Sequence, residues 1–261
     1  MSRVPRLVLG MSGVWLALDT ATDIASVAVG REGGDGSTDV QPEAGSHVQG
    51  ARRHAAAIIR LIDFALGRVG LRPVDLDGIV VADGPGSFTG LRIGWAAAKG
   101  LAQEAGLDVV AVPSLLAAAA AASLQLGPVP VAACFDALRG QVYGAQYVVH
   151  PHRVETLVAP AVLTIEELAS VAPVVPRLVV GDGATRYREA VVRWCGSAPV
   201  PLDALPPTAA LLLSLRSRAG AGRAIEDLTT AEPTYGRPAV AQARCEARHG
   251  RPLPDPSRPS R

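Results

Sequence analysis

The sequence predicts an α/β protein built from two similar lobes. Short apolar stretches of the length of β-strands alternate with longer stretches whose apolar residues recur every three or four positions, as they do in helices. A strand, an acidic residue and a second strand follow one another twice, at Asp19 and at Asp136. The chain has 261 residues, of which 49% are hydrophobic, so it can bury a substantial core.

The first lobe is predicted between residues 14 and 126. Its first strand is Val14–Leu18, and the alternating residues Ala25–Val29 predict a second strand. A turn-rich stretch, 30–36, leads to a weak third strand. The remaining elements are a helix over 47–69 that Gly70 and Pro73 end, a strand over 79–81, a helix over 91–105, a strand over 109–112 and an alanine-rich helix that opens at Pro113-Ser114.

The second lobe is predicted from residue 127 to residue 241, after a break at Gly127-Pro128. Strands are expected at 129–134, 142–149 and 178–180, and helices at 165–171, 185–194 and 208–221. Residues 1–13 form an extension before the first lobe. Residues 242–261 carry Arg, Pro and Gly without periodicity, so we expect a disordered tail.

Composition excludes several classes of protein. The chain holds 25 basic and 24 acidic residues, so it lacks the strongly basic character of a protein that binds nucleic acid alone. Its three cysteines show no CxxC spacing, which argues against a disulfide framework or zinc site and favours the reducing cytoplasm. No apolar run approaches the ~20 residues of a membrane span, so no membrane contact is expected.

The stretch Asp83–Gly94 carries the strongest local signal. It joins a strand to a helix, and its glycines permit turns that side chains would forbid. Ser87 or Thr89 is expected to cap the helix. An anion could sit at such a junction, although the stretch is neither a P-loop nor a GxGxxG fingerprint. Gly90 and Gly94 lie one helical turn apart, which favours the close approach of a partner helix.

Several polar residues allow more than one interpretation. Asp19 and Asp136 could be a metal ligand or a base in an enzyme, or loop residues that cap backbone amides. Two histidines four residues apart, as a helical metal site requires, are missing, because Ile58 stands four residues after His54. Arg52, Arg53 and Arg60 could contact a nucleic acid or form a solvated helix face.

Five collinear motifs resemble the TsaB (YeaZ) family. They cover the chain from about Val14 to Ala241 and consist of Asp19-Thr-Ala-Thr22, His54, Gly84–Gly94, Asp136–Tyr143 and Ala231–Arg237. The resemblance implies the actin/hexokinase/Hsp70-like (ASKHA) fold, with two lobes that each hold a mixed five-stranded sheet flanked by helices. Two departures are Asp83, where many relatives carry Arg or a small residue, and the short loop 181–183, where a nucleotide-binding relative holds adenosine.

The resemblance also implies a function. Members of this family are non-catalytic subunits that bind and activate a TsaD-type transferase, and a TsaE-type ATPase joins the assembly. The complex makes threonylcarbamoyladenosine next to the anticodon of tRNAs that read codons beginning with A. The chain is expected to contact tRNA through the complex, to hold no cofactor of its own, with ATP or ADP possible in the complex, and to form a homodimer when alone.

Two sets of residues follow as candidate sites. The predicted partner interface lies on the first two helices and comprises Ala51, His54, Ala55, Ile58, Ile62, Ser87, Phe88, Thr89, Gly90, Arg92, Ile93, Gly94 and Ala97. The predicted vestigial nucleotide cleft comprises Asp19, Thr20, Asp136, Arg139, Gly181, Asp182 and Gly183. A charge in the interface, as in Gly94→Asp or Ile58→Asp, should abolish the complex and leave the fold intact.

Neither catalytic nor metal-binding residues are expected. One alternative function is an ATP-dependent phosphotransferase of the same fold that uses Asp19 and Asp136. A metallopeptidase-like protein is a further alternative, which the missing histidine pair disfavours.

Overall fold

A computed structural model describes residues 13–33, 40–50 and 54–236, and in these ranges the chain forms ten strands and seven α-helices. The strands are β1 (Val14–Asp19), β2 (Ile24–Glu32), β3 (Val40–Gln49), β4 (Gly78–Gly84), β5 (Asp108–Pro113), β6 (Pro130–Asp136), β7 (Val142–Val149), β8 (Val154–Leu163), β9 (Leu178–Val180) and β10 (Arg223–Ala224). The helices are α1 (His54–Arg68), α2 (Phe88–Ala105), α3 (Ser114–Leu126), α4 (Ile165–Val171), α5 (Asp182–Arg186), α6 (Arg188–Cys195) and α7 (Ala209–Leu215).

The first sheet has the strand order β10-β5-β4-β1-β2-β3. β1, β2 and β3 form an antiparallel meander, whereas β4 and β5 run parallel to β1. The registers place Asp19, at the end of β1, opposite Ser26 of β2. The sheet is therefore mixed, as predicted. The parallel strands β1, β4 and β5 end at the same edge of the sheet, and the loop after β4 starts at that edge.

The second sheet repeats the order of the first, with β8-β7-β6-β9 corresponding to β3-β2-β1-β4. Asp136 ends β6 as Asp19 ends β1, so the two acidic residues occupy equivalent positions in two similar lobes. This repeat confirms the predicted fold class.

The prediction of five strands in each sheet is wrong for the described residues, which form one sheet of six strands and one of four. The first sheet gains β10 as a sixth strand, since the chain returns after α7 to pair with β5. The second sheet has four strands, because the segment after α6 makes only the single bridge from Val200 to Val180 there.

Helices separate and cover the two sheets. α1 and α2 pack against one face of the first sheet through buried residues such as Ile62, Leu66 and Trp95. The other face shares a hydrophobic core with the second sheet, and this core includes the alanine-rich α3 and the leucine-rich α7. α4, α5 and α6 cover the outer face of the second sheet. Elements from both sides of residue 126 thus contribute to one core, and the predicted domain boundary stays a prediction.

Several predicted boundaries need correction. Residues 47–49 belong to strand β3 rather than to the first helix, because β3 pairs with β2 as far as Gln49. The predicted helix over 185–194 is two short helices that meet at Tyr187, and α7 ends at Leu215. The prediction missed β8 altogether. The extension 1–12 and the tail 242–261 lie outside the described residues. Across the ranges that are described, no helix has the length and apolar character needed to cross a membrane.

Candidate functional site

The turn after β1 packs directly against the start of α2. The hydroxyl of Thr20 donates a hydrogen bond to the carbonyl oxygen of Gly90 at 2.7 Å, and Thr20 is buried. The backbone N–H of Ser87 donates to the carbonyl oxygen of Ala21, also at 2.7 Å. These two bonds join the first acidic motif to the glycine-containing loop, which are separated by about 65 residues in sequence.

The glycines of this loop are needed for that packing. A Cβ atom added at Gly90 would overlap the carbonyl oxygen of Thr20, and one at Gly94 would overlap the Thr20 hydroxyl. Both glycines are buried in the chain's own structure. The prediction that Gly90 and Gly94 let a partner helix approach is therefore wrong in its geometry, because the element that approaches them is the chain's own β1–β2 turn.

Ser87 caps α2, as the sequence predicted. Its hydroxyl oxygen accepts a hydrogen bond from the backbone N–H of Gly90 at 3.2 Å, which satisfies one of the free amides at the helix start. Thr89 lies exposed in the first turn and is not the cap. The helix begins at Phe88, three residues before the predicted start at Leu91.

Asp19 is the most strongly perturbed acid near this junction. Its side chain is 1% exposed, and one carboxylate oxygen accepts a hydrogen bond from the N–H of Ala21 at 2.9 Å. The other oxygen, Oδ2, is buried without a hydrogen-bond partner among the described residues. Loss of hydration raises the pKa of Asp19 to about 6, although the bond from Ala21 opposes this shift. Asp19 thus caps a backbone amide, as it would in the interpretation that makes it a loop residue rather than a metal ligand or base.

Asp136 holds the corresponding turn in the second lobe. Its Oδ1 accepts a hydrogen bond from the N–H of Leu138 at 3.0 Å, and its Oδ2 forms an ion pair with Arg186 at 2.8 Å. The N–H of Asp136 donates to the carboxylate of Asp182 at 3.1 Å. Asp136 and Asp182, which were assigned to the same cleft from the sequence, therefore lie together and are joined by a direct hydrogen bond.

The glycines of the second-lobe loop serve close backbone packing. A Cβ at Gly181 would overlap the carbonyl oxygen of Cys134, and one at Gly183 would lie 2.7 Å from the carbonyl carbon of Phe135. Arg139 is exposed in the β6–β7 turn and has a left-handed backbone conformation with φ 54°. The loop 181–183 is thus pressed against β6, where the sequence had suggested a remnant of a nucleotide site.

The predicted partner interface divides into exposed and buried residues. Ile58 and Ile62 are 4% and 2% exposed, so they belong to the core of this chain and their assignment to the surface is corrected. Thr89 and Arg92 are exposed, whereas Ser87, Phe88, Ile93 and Ala97 are half-buried. Ala51 and the side chains of His54 and Ala55 lie outside the described residues, as do Arg52 and Arg53.

The sequence analysis missed the exposed apolar residues of α1. Ile59 is 55% exposed and Phe64 is 54% exposed, although both are large hydrophobic side chains. With 3.6 residues per turn the two side chains point about 140° apart around α1, Ile59 beside the buried stripe that Ile58 and Ile62 share and Phe64 on the far side of the helix. Phe64 falls off the three-and-four spacing of the core stripe, which was the available signal for it, whereas Ile59 stands three residues before Ile62 and fits that spacing, so no signal in the sequence marked it as exposed. Arg60 is exposed, which agrees with both interpretations given for it, so its role stays a prediction.

A metal centre was not expected from the sequence. Among the residues with described placement, no group of three His, Cys, Asp or Glu side chains is arranged to hold a metal ion.

Comparisons with known proteins identify the chain's relatives. A family profile described as "TsaD: tRNA N6-adenosine threonylcarbamoyltransferase" matches residues 46–186. The tRNA threonylcarbamoyladenosine biosynthesis protein TsaB of Escherichia coli is 36% identical over 132 residues, which are 51% of this chain and 54% of that protein. TsaB of Haemophilus influenzae is 38% identical over 133 residues. The chain thus spans about half the length of the curated relatives it matches.

Solved structures give a longer match. A crystal structure from Pseudomonas aeruginosa, described as an uncharacterized protein with similarity to peptidase YeaZ, aligns with a TM-score of 0.69 and 31% identity. The alignment covers 86% of this chain and 100% of that one. YeaZ from Pseudomonas aeruginosa aligns with a TM-score of 0.64 and 30% identity, over 78% of this chain and 90% of that one.

Proposed function

The chain belongs to the TsaB (YeaZ) family, and we propose from this that it is a non-catalytic subunit that binds and activates a TsaD-type transferase. The complex would form threonylcarbamoyladenosine next to the anticodon of tRNAs that read codons beginning with A. The relatives from Escherichia coli and Haemophilus influenzae support this proposal, because each is named as a tRNA threonylcarbamoyladenosine biosynthesis protein.

The exposed apolar side chains of α1 are the observation that carries the proposal. Ile59 and Phe64 leave more than half of their surface in water, so on α1 they offer apolar area whose burial by a partner would be favourable. α2 packs beside α1 and exposes Thr89, Arg92 and Ala96. A helical surface with large apolar residues and an arginine has the chemistry of a protein–protein contact.

The packing of the two acidic turns supports a subunit without its own chemistry. In the first lobe, the chain's own glycine-containing helix α2 lies against Thr20 and Ala21. In the second lobe, the carboxylate of Asp136 is engaged by Arg186 and by a backbone amide. Each turn is thus occupied with holding the fold, which leaves the phosphotransferase alternative with less support. Calorimetry with ATP would test that alternative directly, since a phosphotransferase must bind the nucleotide as an isolated chain.

Further parts of the assembly belong to the same proposal. A TsaE-type ATPase would join the complex in the cytoplasm, and ATP or ADP would bind at the level of the complex rather than to this chain alone. Contact with tRNA would pass through the complex. In the absence of the transferase, the surface around α1 would pair with a second copy of the chain.

The experiment measures binding to the TsaD-type protein of the same genome. Ile59→Asp and Phe64→Asp each place a charge at an exposed apolar position of α1, where burial against a partner would remove its hydration. We expect each variant to weaken the affinity about tenfold or more, with an unchanged melting temperature. These two residues replace Ile58 and Gly94 as probes, because a charge at either of those positions would disrupt the chain's own packing.

Val171→Asp is the matched control. Val171 is 56% exposed on α4, in the second lobe, so it tests the same added charge at an equally exposed apolar residue away from the proposed surface. Wild-type affinity for the control and for both α1 variants would show that the interface lies elsewhere. Failure of the wild-type chain to bind the transferase at all would contradict the proposed function.

A further inference from the structure

A buried acidic residue ties the end of the described chain to the loop before α2. Asp83 is 6% exposed, and its carboxylate accepts two hydrogen bonds from Arg223, at 2.8 and 3.1 Å. The hydroxyl of Thr234 donates to the same carboxylate at 3.2 Å, and the N–H of Thr234 donates to the Asp83 carbonyl oxygen at 2.7 Å. A two-pronged arginine–carboxylate pair fixes geometry as well as charge, so this contact defines the path of the chain.

The next residue, Tyr235, reaches the first turns of α2. Its ring centroid lies 4.7 Å from that of Phe88, and the guanidinium of Arg92 lies 4.1 Å from the Phe88 centroid. Arg92 Nε also donates a hydrogen bond to the Tyr235 hydroxyl at 3.2 Å. The side chain of an exposed arginine is thereby held by two aromatic rings and one hydrogen bond.

Gly84 and Gly236 mark how closely the two segments approach. A Cβ at Gly84 would overlap the carbonyl oxygen of Thr234, and one at Gly236 would lie 3.1 Å from Cβ of Pro85. We call Arg223, Thr234 and Tyr235 the C-terminal clasp. The clasp brings residues from the end of the described chain onto a helix that begins some 140 positions earlier.

We propose that the C-terminal clasp is a positioning element for the partner surface, which holds Phe88 and Arg92 in the arrangement that the transferase meets. This inference rests on the proposed function. An arginine that is ordered before binding loses less side-chain freedom when the complex forms. If only a fraction of the molecules had the first turn of α2 in place, the apparent Kd would rise by the inverse of that fraction.

The clasp meets the edge of the core that holds the rest of α2, since Tyr235 packs against that core and the Arg223 guanidinium lies 5.7 Å from the Trp95 ring centroid. The helix is anchored by Leu91, Trp95, Ala98 and Ala102, which are all buried. Phe88 and Tyr235, in contrast, are half-buried, and Arg92 is exposed. Loss of the Tyr235 ring should therefore loosen the first turn while the remainder of the helix stays packed, so a positioning role can be separated from a role in folding.

The experiment combines hydrogen exchange with affinity in the full chain. Tyr235→Ala removes the ring and the hydroxyl, whereas Tyr235→Phe removes only the acceptor for Arg92. For Tyr235→Ala we expect exchange at the amides of Gly90 and Leu91 to rise about tenfold, and Kd for the transferase to rise by a similar factor. Tyr235→Phe should fall between this variant and the wild type on both measurements, because the stacking is kept.

Tyr187→Ala is the control for the loss of an arginine–tyrosine contact. The guanidinium of Arg186 lies 5.9 Å from the Tyr187 ring centroid, in the second lobe. This variant should leave both the exchange at Gly90 and the affinity unchanged.

The outcomes separate this inference from the proposed function. Unchanged affinity of Tyr235→Ala for a transferase that the wild type binds would overturn the positioning role alone. A raised Kd without faster exchange would also overturn it, because Tyr235 would then contact the partner itself. If the wild type does not bind the transferase, the proposed function is contradicted, and so is the role of the clasp in binding that partner.

Discussion

At the scale of single residues, burial of polar groups decides the chemistry of the β1–β2 turn. Asp19 and Thr20 are both buried, and each binds a backbone group of its own chain. The Thr20 hydroxyl is hydrogen-bonded to the Gly90 carbonyl oxygen, whereas burial raises the pKa of the Asp19 carboxyl group to about 6. Ionisation of this buried carboxyl group destabilises the fold, so the contribution of Asp19 to the free energy of unfolding depends on pH.

Asp19→Asn should remove that dependence. Since the folded state prefers the protonated acid, the contribution of Asp19 to stability is most favourable below the ordinary pKa of about 3.8 and is lost as the pH rises towards 6. The amide of Asn carries no charge and can still accept the bond from Ala21. We expect the free energy of unfolding of the variant, relative to wild type, to increase by about 2–3 kcal/mol between pH 4 and pH 7. Urea denaturation across this range measures the difference.

Asp63→Asn provides the control for this titration. Asp63 is exposed on α1, so the same chemical change there occurs in water. A curve for Asp19→Asn that ran parallel to wild type at all pH values would contradict the assigned cause.

At the scale of elements, the sequence predicts what local periodicity encodes and misses what distant contacts decide. The pattern placed β1, β4 and α2 correctly, because each carries an apolar run or a cap that is readable in sequence. It extended the first helix back to residue 47, although pairing with β2 makes 40–49 a strand. Strand β8 has a single buried residue, Val154, and lacks a clean alternation, so periodicity gave no signal for it.

The same distinction applies to the candidate site. A spacing of four residues placed Gly90 and Gly94 on one face of α2, which is correct, but it could not tell which element covers that face. That element is the β1–β2 turn, about 70 residues away in sequence. The three-and-four spacing of Ile58 and Ile62 likewise identified an apolar stripe, and only the packing shows that it faces the chain's own core.

Gly94→Ala tests how tightly α2 packs on this turn. The added methyl group would overlap the Thr20 hydroxyl and disturb its bond to Gly90. Although alanine is the better helix former, overpacking should dominate and lower the free energy of unfolding by about 1–3 kcal/mol. Thermal or urea denaturation measures this change.

Gly100→Ala on the same helix is the matched control. No atom beyond the helix's own backbone lies within 4 Å of a Cβ added there, so the substitution should stabilise the protein by about 0.5–1 kcal/mol. Stabilisation by both substitutions would mean that the turn does not press on α2.

At the scale of the whole molecule, one hydrophobic core joins the two lobes. It takes residues from the inner faces of both sheets and from α3 and α7, which lie between them. The N–H of Ala209 at the start of α7 donates to the buried Ser26 hydroxyl of β2 at 2.9 Å, and Arg216 at its end pairs with Glu32. α7 comes from the second half of the chain but is anchored on the first sheet. Unfolding of one lobe would therefore expose core surface of the other.

Leu212→Ala should consequently destabilise both lobes together. Leu212 is completely buried in α7, and a cavity at such a position typically costs about 2–5 kcal/mol. Because the core is shared, we expect a single calorimetric transition that moves to lower temperature without splitting. Leu124→Ala, at a position that is 71% exposed near the end of α3, removes the same atoms from water and should leave the transition in place. Two transitions, of which only one responds to Leu212→Ala, would show that the lobes fold separately and that α7 does not couple them.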